Sequence, residues 1–129
     1  MEIISKEDQF DCLKAMQSTI KKLEKAYAQM NQKGANTTLV KKRLDACKIG
    51  LAMLENVWNE VSHTYSQTDL EDARKTLLAL TPSVESSYAK SKAGTPQRTL
   101  LERRLKALQL ADQAINQQLS DGNHEDSCL

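Results

Sequence analysis

Residues 38–54 read TLVKKRLDACKIGLAML, and residues 99–115 read TLLERRLKALQLADQAI. The second stretch begins 61 residues after the first, repeating Thr38-Leu39 as Thr99-Leu100, Arg43-Leu44 as Arg104-Leu105 and Ala46 as Ala107. Upstream, the same offset pairs Asp11 with Asp72, Lys14 with Lys75, Glu24 with Glu85 and Tyr27-Ala28 with Tyr88-Ala89. A gapless self-match over most of a chain means two copies of one supersecondary unit.

Apolar spacing identifies the unit as a helical hairpin. Leu13, Met16, Ile20, Leu23, Tyr27 and Met30 recur at alternating intervals of three and four, as a heptad seam does. Val40, Leu44, Cys47, Leu51, Leu54, Trp58, Val61 and Tyr65 follow the same rule. Gly34 and Asn36 between them read as a helix stop followed by a start signal. The second copy carries Leu70, Ala73, Leu77, Leu80 and Val84, then Leu101, Leu105, Leu108, Ile115 and Leu119. Two positions depart from the pattern. Leu51 becomes Asp112, where the last helix is expected to rotate or fray. Pro82 falls inside the third stripe, where it either kinks the helix or restarts it.

The spacing predicts helices over about 5–31, 38–65, 69–91 and 98–120. They form an all-α, antiparallel up-down four-helix bundle built from two related hairpins, about 5–65 and 69–119. Residues 1–119 make the single domain, and 120–129, without apolar periodicity, read as a flexible C-terminal tail.

The 129 residues hold four Gly, two Pro and five aromatics, with 40% hydrophobic and 27% charged side chains, which suits a folded helical domain. The first residues lack a basic-then-apolar secretory leader, and no run approaches the roughly 20 apolar residues of a membrane span. Three cysteines, an odd number, read as reduced thiols of the cytoplasm or nucleus.

A net charge of +1 conceals a lengthwise polarity. Lys21 to Arg43 holds seven basic residues and one acidic, and Ser83 to Lys106 holds six and two. In an up-down bundle both segments lie at one end. The expected basic end gathers Lys33, Lys41, Lys42, Arg43, Arg98, Arg103 and Arg104 as partner-binding residues, with Lys90 and Lys92 beside them. Glu7, Asp8, Asp11, Glu60, Asp69, Glu71 and Asp72 form an acidic end. Such a field steers an acidic partner or aligns copies head to tail.

Catalytic and ligand motifs are lacking. There is no glycine-rich phosphate loop, nucleophile elbow or His-Glu-x-x-His. His63 and His124 are too far apart in sequence to suggest a metal site; the first reads as a rim residue beside the seam and the second as solvated tail. Cys47 takes a core position, Cys12 a partly buried one, and Cys128 an exposed one without a fixed base. Trp58 falls on the seam and reads as core. The pattern calls for no cofactor and no metal.

Arg43-Leu44-Asp45, Leu54-Glu55 and Trp58-Asn59-Glu60-Val61, preceded by the helical stretch Asp11–Met30, resemble a segment in the Gag region of insect BEL/Pao-type retrotransposon polyproteins. The resemblance covers about half the chain and implies a non-enzymatic, self-associating helical module. The chain departs from that setting in its tandem copy and in lacking a zinc knuckle and protease, so no site residues carry over. The expected role is a protein-interaction or assembly module, a scaffold or adaptor, binding a protein partner or a second copy of itself. A nucleic-acid-associated accessory protein using the basic end stands second, and no membrane association is expected.

Overall fold

The computed structural model describes the backbone of residues 4–128 and the side chains through Ser120. Four helices make up the bundle: α1 (Lys6–Gln32), α2 (Thr38–Asn59), α3 (Gln67–Lys90) and α4 (Pro96–Cys128).

Local chemistry sets their ends. The Ser5 hydroxyl accepts the Asp8 amide N–H at the start of α1. Ser66 and Asp69 close a reciprocal capping box on α3. Asn36 Oδ1 accepts the Thr38 N–H at 2.9 Å, taking the capping role at α2 while the Thr37 side chain makes no cap bond. Thr95 caps α4, its hydroxyl accepting from the Arg98 N–H, and Pro96 supplies the first helical residue, where a missing N–H costs nothing. Gly34 and Gly94 adopt positive φ (69° and 79°) in the two hairpin turns.

Two helix ends differ clearly from the sequence reading. α2 stops at Asn59, six residues short of the expected end. Glu60 there takes a left-handed conformation (φ 56°), with Glu60 N–H donating to Asn56 O and Val61 N–H to Glu55 O. The Glu60 bond is that of an αL stop, locked further by Asn56 Nδ2 donating to Val61 O. His63 and Tyr65 therefore lie in the linker rather than on α2. Their rings stack with centroids 6.0 Å apart, the Tyr65 N–H donates to His63 Nδ1, and Tyr65 packs back on the core. α4 runs on to Cys128, past the expected end near 120, because no proline intervenes and one glycine weakens a helix by only about 1 kcal/mol. The expectations for His124 and Cys128 fall on side chains outside those described.

Pro82 neither restarts nor ends α3, which continues through it. Thr81 Oγ1 donates to Leu77 O at 2.9 Å, so one carbonyl of the preceding turn keeps a side-chain donor. Pro82 itself is exposed, which leaves room for its ring.

The core confirms the repeat residue by residue. Cys12 and Ala73, Ala15 and Thr76, Met16 and Leu77 are buried as equivalent pairs on α1 and α3. Ala46 and Ala107, Cys47 and Leu108, Met53 and Ala114, Leu54 and Ile115 do the same on α2 and α4. The expected layer-mates Leu44 and Leu105 differ slightly, Leu44 being buried and Leu105 partly so. Trp58 and Leu119 are equivalent partly buried residues packed against the core.

Each hairpin is antiparallel. On α1 and α2, Lys48 pairs with Glu24 at 3.9 Å while Lys41 lies over Tyr27 at 5.7 Å, so one index rises as the other falls. On α3 and α4, Arg74–Asp112 and Arg98 over Tyr88 follow the same rule. The backbones of α2 and α4 approach closely across the middle of the bundle, whereas those of α1 and α3 stand further apart.

Asp112 corrects an expectation. The helix does not fray there: α4 runs through the position, and Asp112 Oδ1 accepts from Arg74 Nε at 2.9 Å on α3. These positions correspond to Leu51 and Leu13 in the first copy, both partly buried against the core. An apolar pair in one hairpin has become an ion pair in the other.

Candidate functional site

The seven basic residues expected at one end meet different fates. Arg103 Nη2 lies 3.8 Å from Asp11 Oδ2, which places the early turns of α4 beside the early turns of α1. Its repeat equivalent, Lys42, shares a groove between α2 and α3 with Asp69 and Asp72. The predicted separation of charge into two ends is therefore incomplete. The hairpins pack so that acids of the first two turns of α1 and α3 approach bases on the other hairpin. Two matching seams result, one on each side of the bundle.

Arg98 is a structural residue. Its Nη1 donates to Ser91 O at 2.9 Å and to Tyr88 O at 3.3 Å, and its guanidinium stacks 4.1 Å from the centre of the Tyr88 ring. It thereby satisfies carbonyls at the end of α3. Lys41 is held by Asp45 at 3.1 Å, a pair on one helix and half exposed. Lys33 stands exposed where α1 ends.

Arg43 and Arg104 differ from the rest. They occupy the same position in the two copies, and they line one cleft of about 500 Å³. This cleft opens where the backbones of α1 and α3 stand apart. Further equivalent pairs line it from opposite sides: Leu23 with Val84, Thr19 with Leu80, and Lys22 with Ser83. The floor is apolar, with Leu100 and Leu101 added by α4. Lys22, Arg43 and Arg104 supply positive charge, and among the described residues no acidic one lines the cleft.

Arg104 is the most constrained of these cations. Its Nε is buried and makes no hydrogen bond. Burial lowers its pKa from the usual arginine range, since desolvation disfavours the charged form. Beneath it lies the Cys47 thiol, fully buried, whose pKa burial raises to about 11 against the opposing pull of Arg104 and Arg43. A thiol held neutral in this way is a packing group and a poor nucleophile. Cys12 is likewise buried, with its pKa raised mainly by desolvation.

Sequence reasoning named Arg43 and Arg104 but missed Lys22 and the hydroxyls of Ser83 and Ser87. Lys22 lay inside the counted basic segment. Nothing in the spacing marked it as facing Arg104 across a gap between helices. Among the described residues, no group of three or more His, Cys, Asp or Glu side chains is placed to hold a metal ion. No described helix is long and apolar enough to cross a membrane. No family model matches the chain, and no curated protein or solved structure matches it at a significant level.

Proposed function

We propose that this chain is a non-enzymatic protein-interaction module, an adaptor or scaffold that engages an acidic partner at the cleft between α1 and α3. The observation that carries the reading is the lining: three cations, two of them equivalent arginines, over an apolar floor without a carboxylate. Keeping Arg104 there is unfavourable for the fold alone, because a buried donor without a partner costs about 1–3 kcal/mol. A partner carboxylate would offset that cost on binding, in a charge-assisted and directional bond. The same field accelerates encounter with acidic surfaces.

The two described free thiols, Cys12 and Cys47, support a reducing cytoplasmic or nuclear setting. Self-association, which the Gag-region resemblance implies, belongs to the same reading, with a second copy as the partner. The test is affinity capture from cell extract with wild type, the R43E/R104E variant and the K41E/K42E variant. Partners retained by K41E/K42E and lost from R43E/R104E are expected. Identical partner sets from all three would overturn the assignment to this cleft.

A further inference from the structure

The partner's form follows from the shape of the gap. Among the described residues, α1 and α3 are the one pair of helices whose backbones do not approach closely, and residues of both line the cleft. About 500 Å³ lies in the range of a ligand pocket (roughly 300–1,000 Å³). That is room for a few anchoring side chains but not for a whole helix. The aliphatic floor of Leu23, Leu80, Val84 and Leu101 calls for apolar anchors, and the cationic rim calls for an acid beside them. Among the described residues no aromatic side chain lines the cleft, so they offer no platform for stacking a nucleobase.

We propose that the cleft seats one amphipathic acidic helix of a partner protein. Apolar side chains at i and i+3 or i+4 fill the gap between α1 and α3, and an adjacent Asp or Glu pairs with Arg104 and Arg43. This rests on the acidic-partner reading and makes it specific. Anchors at that spacing stand about 5–6 Å apart on one helix face, which is the helix-in-groove mode of recognition. The carboxylate supplies the acceptor that Arg104 Nε lacks. Arg43, reaching the same cleft from α2, opposes it with a second fork of donors.

The experiment is fluorescence anisotropy with the full chain and two labelled peptides of identical composition. One places Leu and Glu on a single helical face, and the other is scrambled so that no face forms. Arg104→Met removes the cation, and Ser87→Trp fills the cleft from an exposed position on α3. Thermal melts establish that both variants fold. The patterned peptide is expected to bind at least about tenfold more tightly than the scrambled one, gaining helicity, and each variant to weaken it at least about tenfold. Equal binding of the two peptides, weakened by R104M, would retain an acidic partner and overturn the helix. Binding of neither peptide would overturn the helix as well. Self-association in light scattering that R104M and S87W both abolish would make a second copy the occupant and overturn the proposal.

Discussion

A Cβ placed on Gly50 lies 3.2 Å from the Cβ of Ala111, and these two residues hold the same position in the two copies of the repeat. The same Cβ lies 3.3 Å from Leu77 Cδ1 and 3.4 Å from Met16 Cε, again an equivalent pair. Equivalent residues face one another at this point, as they do around a two-fold axis. Gly50 is a point of close approach between the two hairpins, where Ala111 already fills the space a side chain would need.

Gly50→Val is accordingly expected to lower stability by about 2–3 kcal/mol, since the added methyls meet a Cβ fixed to the opposing backbone. Gly50→Ala gains about 1 kcal/mol of helix propensity and loses a similar amount to the tight contact, leaving it near neutral. The exchange G50A/A111G moves the methyl across the axis and should also stay within about 1 kcal/mol of wild type. Urea denaturation measures all three, and a Val variant as stable as wild type would deny the close approach.

Arg74 and Asp112 stand where the first hairpin has Leu13 and Leu51. The arginine is 37% exposed and the aspartate 22%, so solvent screens the pair and its net contribution is about 1 kcal/mol or less. Restoring the first copy's pattern as R74L/D112L should leave stability unchanged or raise it by about 1 kcal/mol. Asp112→Leu alone should be the less stable variant, having stranded Arg74. Thermal melts of the single and double variants decide the order.

Arg104→Met should raise stability by about 1 kcal/mol, because an apolar side chain of similar length removes a buried, unsatisfied donor. A residue kept for the fold would give the opposite sign. The check is chemical denaturation paired with the peptide titration above. Gain in one and loss in the other is the signature of a site that the fold tolerates for binding.

Alkaline pH should destabilise the chain through Cys47. Its folded pKa is about 11 against 9.0 for the free thiol, so the folded state holds the proton more tightly than the unfolded state. Stability is then full below about pH 9, falls as pH rises, and levels off once the folded thiol ionises near pH 11. Two pKa units correspond to about 3 kcal/mol across that window. Cys12, also raised, adds in the same direction. Denaturation midpoints from pH 8 to 11 should show the decline, and Cys47→Ala, though less stable at neutral pH, should flatten it.

The cleft was half legible in the sequence. Arg43 and Arg104 could be found because the 61-residue echo pairs them, and a repeat carries its equivalents to matching places. Their convergence on one cleft could not be found that way. It depends on α1 and α3 standing apart while α2 and α4 touch, and heptad spacing is silent on which diagonal of a four-helix bundle closes. The small residues at Gly50 and Ala111 settle that choice by letting two backbones approach. Lys42 and Arg103 looked like members of one basic end for the same reason. Charge counted along a chain has no knowledge of Asp72 and Asp11, which lie 30 residues from Lys42 and 92 from Arg103 in sequence.

By itself the sequence determined four helices, two hairpins and the pairing of Cys47 with Leu108 in equivalent layers. Periodicity and internal repetition are local or translational properties, and they survive in one dimension. The end of α2 at Glu60, the ion pair at Asp112, the sharing of charge across the seams and the cleft at Arg104 were decided only in three dimensions. Each depends on which surfaces meet, and that is set by the close packing of side chains from distant parts of the chain.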